Sequence, residues 1–267
     1  MKKIITLEKK LFMALFNSSN PTLSENKFRD TIISTTITDD NAMTIKGTLN
    51  KFGFMLIMLM GTAFYSWKEA SNGGANTMGM IWGGVIGGFI IALVLMFKRE
   101  WSPYLAPLYA LLEGLFIGAI SSFFNAAYPG IVIQAVGLTF SVGIGMYFLF
   151  SMKIIRATEK FKSILIAATV GIGLFYLATF IIGMFGVDVN ESMPFINGGG
   201  MFGIGFSLFV VAIAALNLIL DFDMIEKGAE MGAPKYMEWY GAFGLMVTFV
   251  WLYLEILRLL SKISSRD

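Results

Sequence analysis

Four carboxylates in this sequence sit where a carboxylate is costly. Glu113 falls in APLYALLEGLFIGAISS, Asp221 and Asp223 in LNLILDFDMIEKG, and Glu255 in VTFVWLYLEILRLLSKI, all predominantly apolar runs. An ionisable group inside a membrane span costs about 3 kcal/mol on insertion scales, usually faces the bundle interior, and marks ion or proton paths. The chain has no His and no Cys. The usual near-neutral proton switch, the usual transition-metal ligand and thiol chemistry are therefore all missing. Proton or cation chemistry falls to carboxylates, which prefer protons and hard cations such as Ca²⁺.

The surroundings of each acid suggest different roles. Glu113 has no basic residue within two turns. Its partner must come from another helix, or desolvation keeps it protonated; a neutral, hydrogen-bonded packing role fits equally. Asp221 and Asp223 are roughly 200° apart on a helix, so one is expected to face the bundle and the other the boundary or a neighbouring helix. Negative charge near a helix C-terminus opposes the helix dipole, which argues for a role beyond marking the water boundary. Glu255 has Arg258 three residues on. The two could form an intrahelical pair. Alternatively, Glu255 meets an Asp of the sixth helix and the pair holds one proton between them. Such a pair senses pH without histidine, and its deprotonation creates repulsion or a cation site.

A straight seventh helix from Pro234 would carry Glu255 about 30 Å from the face at which the sixth helix ends. The stretch PKYMEWYGAFG is mixed in polarity and could form an interfacial helix. The true span would then start near Gly244, with Glu255 only about 16 Å deep.

The elements that must position these acids are membrane spans. Of 267 residues, 56% are hydrophobic and 14% charged, and the mean hydropathy is +0.72. Residues 1–46 read as a polar, partly disordered cytosolic arm, and residues 47–267 as one seven-helix transmembrane domain with the lipid bilayer as its partner. Runs long enough for ~30 Å of hydrocarbon cover residues 47–67, 77–97, 103–125, 129–152, 163–186, 199–225 and 240–260. The expected fold is an all-α membrane protein. No cleavable signal is expected, since Glu8, Lys9 and Lys10 interrupt the apolar start.

Lys and Arg are concentrated in the arm and in the loops after the second, fourth and sixth spans, which places the amino terminus in the cytosol. Seven spans put the tail outside, but Arg258, Lys262 and Arg266 would suit a last segment that re-enters and returns. The spacings Gly83/Gly87, Gly84/Gly88 and Gly114/Gly118 predict close helix packing. A net charge of +2 with no long basic patch points away from nucleic acid.

NPTLSE in the arm, MTIKGTLNK, PLYALLEGLFIGAIS and DFDMIEKG…WLYLEILRLL together resemble the transmembrane Bax-inhibitor-motif family, in its bacterial branch. The resemblance spans nearly the whole chain. It implies a bundle of seven helices with the last at the centre, in a bacterial inner membrane, and a Ca²⁺ leak gated by pH. In relatives a sixth-helix and a seventh-helix aspartate share a proton and hold the pore closed. The matching positions are Asp223 and Glu255, with Glu in place of Asp and a longer loop between them; these two would also be the candidate Ca²⁺ ligands. A basic residue after the second helix can latch the sixth-helix aspartate, which here means Arg99 or Lys98. Asp221 and Glu113 are further candidates for the ion path.

The leading reading is a proton-regulated cation (Ca²⁺) leak or exchanger. The alternative is an interaction protein that modulates a membrane protease or quality-control complex through its arm. Enzyme activity is not expected and no cofactor is implied. Serine hydrolysis in the membrane wants a His or Lys base within the spans, aspartyl chemistry would need Asp223 and Glu255 face to face, and Lys262 is too near the end to carry retinal.

Overall fold

An apolar run in hydrocarbon must satisfy its own backbone, and a single segment does so only as a helix. The computed structural model describes residues 42–185 and 200–266. Among these it holds seven long helices: α1 (Ile45–Ser71), α2 (Thr77–Phe97), α3 (Ser102–Ala127), α4 (Ile131–Ser151), α5 (Glu159–Met184), α6 (Met201–Glu230) and α7 (Met237–Ser264). Each is long and apolar enough to cross a membrane, so the expected all-α, seven-helix fold is the one observed. A short 3-10 turn, Arg99–Trp101, leads into α3. Residues 1–41 of the arm lie outside the described residues.

Local chemistry sets the helix ends. The Thr44 hydroxyl accepts the Gly47 N–H at 2.9 Å, and the Thr158 hydroxyl accepts that of Phe161 at 3.3 Å; both are side-chain N-caps. Between α6 and α7, Gly232 takes φ +68°, a left-handed turn that glycine adopts without a steric penalty. Short connections make neighbouring helices antiparallel. One end of the bundle, here the near end, gathers the starts of α1, α3, α5 and α7; the other is the far end.

Close packing follows the glycines. A Cβ on Gly114 or Gly118 of α3 would overlap backbone oxygens of α1, those of Leu59 and Ala63. On α2, a Cβ on Gly84 would lie 2.6 Å from the Leu112 carbonyl oxygen of α3. Gly83 has nothing within 4 Å. Thus the 84/88 and 114/118 pairs form interfaces, while Gly83 does not.

α7 is the central helix, packed on α1, α3, α4 and α6. It is one continuous helix from Met237, without the break near Gly244 that PKYMEWYGAFG suggested. That stretch is buried in the bundle end. Tyr240 and Phe243 are fully buried, Phe243 meets Tyr109 of α3 edge-on at 4.8 Å, and Trp239 meets Phe54 of α1 at 6.2 Å. Glu238 anchors the start. It accepts the N–H and O–H of Thr44 at 2.9 Å each, pairs with Lys235 at 3.2 Å, and also pairs with Lys51. Beside it, Met43 is buried and its N–H reaches the Ala233 carbonyl at 2.6 Å. The unbroken helix carries the chain from the near end to the far end, so the re-entrant alternative does not hold.

Candidate functional site

The near-end half of α6 carries its acids in a segment buried on all sides, with every residue from Asn217 to Ile225 in the core. Four helices surround it. Phe222 packs against Tyr147 and Phe150 of α4, Asn217 donates to the Thr169 hydroxyl of α5 at 2.9 Å, and Ile225 lies against Gly241 of α7. The fourth is α1, through a smaller contact. Asp221 is one turn from Ile225 on the same face, so it stands against α7, wholly buried.

Asp223 points toward α5. Its Oδ2 accepts Lys227 Nζ at 2.7 Å and lies 3.3 Å from Lys162 Nζ. Lys162 also pairs with Glu159 at 3.3 Å. The result is a chain of alternating charges, Glu159–Lys162–Asp223–Lys227, that ties the start of α5 to the end of α6. Lys162 is only 2% exposed. A charge buried this deeply persists only when paired, and Glu159 and Asp223 supply that pairing.

Sequence reasoning counted Lys162 and Lys227 as loop charges. The missed signal is a stripe: Lys162, Leu165, Thr169 and Ile172 recur at three- and four-residue spacing, the inward face of a helix, and Leu165 and Ile172 are core residues. The expected latch is corrected accordingly. The cations on Asp223 are Lys162 and Lys227, neither of them Lys98 or Arg99. Lys98 is exposed. Arg99 lies close enough to the buried Tyr240 hydroxyl to act on it electrostatically.

Glu255 does not join Asp223. With Ile225 level with Gly241, Asp223 stands level with about Phe243, and Glu255 is roughly 18 Å farther along α7 at 1.5 Å per residue. The unbroken start of α7 is the cause. Glu255 is instead enclosed at the far end: its Oε1 accepts from Arg258 at 2.7 Å and from the Trp251 indole at 3.3 Å, while Oε2 accepts from the Tyr176 hydroxyl at 3.1 Å. Arg258 also donates to that hydroxyl at 2.6 Å and lies over the Tyr176 ring at 4.8 Å. The intrahelical Glu–Arg pair is therefore the one formed, extended to α5 through Tyr176. Nearby, Lys262 donates to Ser207 at 2.9 Å and to the Gly203 carbonyl at 3.2 Å, binding α7 to α6. So placed, Asp223 and Glu255 make no shared proton site and no common Ca²⁺ site.

Glu113 is half-buried on α3, one turn from Tyr109 of its own helix, whose hydroxyl lies near enough to act on it. Its carboxylate fills the space left by Gly88 of α2, where a Cβ would lie 2.8 Å from Oε1. Its setting, against Gly88 of α2 and one turn from Tyr109, fits the neutral packing role.

A family model described as Bax inhibitor 1 like matches residues 17–265. A search of curated proteins finds no match. The match covers nearly the whole chain, including all seven helices and both acidic clusters. This protein belongs to the Bax inhibitor 1-like family of membrane proteins.

Proposed function

We propose that this protein is a pH-regulated cation leak, with Ca²⁺ as the transported ion, whose gate is the near-end half of α6. The observation that carries this reading is the ion pair between buried Lys162 of α5 and Asp223 of α6, beside the fully buried Asp221. In the ionised state Asp223 holds the two helices together. A proton on Asp223 removes its attraction for Lys162 and Lys227. Lys162 retains its pairing with Glu159 of its own helix, while its ion pair to α6 is lost and the two helices can part. Asp221, fully buried on the same segment, is the carboxylate proposed to meet a passing cation, since oxygen donors suit a hard divalent ion. The grouping of positive charges at the near end favours a gate on the cytosolic side of a bacterial inner membrane, so that cytosolic acidification would open it.

Purified protein in vesicles loaded with a Ca²⁺ dye tests this. Flux should rise as the medium facing the near end is acidified. Asp223→Asn should be permanently leaky and insensitive to pH, Asp221→Asn should lose flux, and Glu255→Gln should behave as wild type. Absence of flux, or identical flux in both aspartate variants and wild type, would overturn the proposal.

A further inference from the structure

One aromatic ring of α7 stands between two outer helices. Phe249 meets Phe52 of α1 edge-on at 5.6 Å and Phe140 of α4 at 5.3 Å. Toward the far end of that ring lies a cavity of about 360 Å³ between α1 and α4, floored by Ile117 of α3 and Val250 of α7. Toward the near end lies a second, of about 260 Å³, floored by Leu218 and Phe222 of α6. Leu56, Phe140 and Phe249 border both, so the two form one seam. Along α1 it runs from Leu49 to Trp67, about 27 Å of helix, close to the ~30 Å thickness of a hydrocarbon core.

The seam opens sideways. Phe64 and Ile133 on its rims are 71% and 81% exposed, whereas Ile117 and Val250 on its floor are 7% and 8%. Its walls are apolar, and the floor hydroxyls of Ser121 and Tyr253 bond each other at 2.6 Å, so nothing there calls for water. Apolar cavities of this kind stay dry and take apolar ligands, and unfilled ones forfeit dispersion contacts. At this depth the available apolar matter is the lipid tail.

We propose that the seam between α1 and α4 is a binding site for an acyl chain of a phospholipid from the surrounding bilayer. In the near-end cavity the chain lies on Leu218 and Phe222, the α6 residues that flank Asp221 in depth. Binding does not depend on the protein being a leak.

The probe is a phosphatidylcholine carrying a diazirine in its tail, doped into phosphatidylcholine vesicles holding the full chain. After irradiation, adducts are mapped by mass spectrometry. Ile57, 70% exposed on α1 and outside the seam, reports ordinary lipid contact. Adducts are expected on the floor residues Ile117 and Val250 as well as on Ile57. In Val136→Phe, which enlarges a wall residue, floor labelling should fall several-fold relative to Ile57. Labelling confined to exposed residues would overturn the proposal, as would floor labelling unchanged in Val136→Phe. Cross-linking of two chains through Ile133, with the floor unlabelled, would show a second helix in the seam and equally overturn it.

Discussion

At the scale of single residues, what decides each acid's role is which cation it meets. Glu238 is the extreme case: fully buried, it collects Thr44, Lys51 and Lys235 around one carboxylate. Removing one partner of a buried charged pair costs about 3–5 kcal/mol. Glu238→Gln should therefore lower the thermal unfolding temperature of the detergent-purified protein markedly. Lys235→Met removes a half-exposed partner, which is worth about 1 kcal/mol or less; equal losses in the two variants would refute this ranking. The acids themselves were legible in the sequence, because carboxylates in apolar runs announce themselves. Their partners were not. Asp223 meets Lys162 from 61 positions away, and only the rotation of α5 about its axis tells an inward lysine from a loop lysine. Glu113 has two readings in the sequence, and of these the neutral packing role suits the tyrosine one turn away on its own helix.

At the scale of elements, glycine spacing forecast contact without saying which glycines make it. Gly83 and Gly118 sit in similar small-residue patterns, yet one faces open space and the other faces the backbone of α1. The same substitution should therefore have opposite signs. Gly118→Ala drives a methyl into the Ala63 carbonyl and the Ser66 hydroxyl, an overpacking cost of about 1–3 kcal/mol. Gly83→Ala meets nothing and gains up to about 1 kcal/mol of helix propensity. Unfolding of the two variants, measured side by side, checks the pair. The start of α7 shows where element boundaries escape the sequence. Aromatic residues mixed with polar ones read as an interfacial segment, but here α1 and α3 supply surfaces that bury them, and Glu238 finds its cations on α1 and in the α6–α7 turn. That single boundary moved Glu255 away from Asp223 and changed the candidate gate.

For the whole molecule, hydropathy and the antiparallel logic of short loops were sufficient for seven helices, and the family resemblance for α7 at the centre. The seam between α1 and α4 was invisible, since it depends on two helices that are kept from meeting. Membrane sidedness rests on the distribution of Lys and Arg, and the cysteine-free chain makes it directly testable. Single cysteines at exposed Ala75 (far end) and Lys160 (near end) should differ in intact cells. Ala75→Cys should react with an impermeant maleimide added outside, and Lys160→Cys only after lysis. The reverse pattern would invert the topology and put the α6 acids at the outer surface.

The Glu238 clamp also dictates an order of manufacture. Its partners Thr44 and Glu238 are separated by 194 residues, so a ribosome adding ~5–20 residues per second takes roughly 10–40 s between them. Throughout that interval α1 has already been made, while the carboxylate that will fasten its first turn does not yet exist. Buried Lys162 likewise waits for Asp223. Until the last third of the chain arrives, the first and fifth helices therefore lack these fastenings. The central helix is thus also the final piece to be delivered, and its arrival closes the bundle.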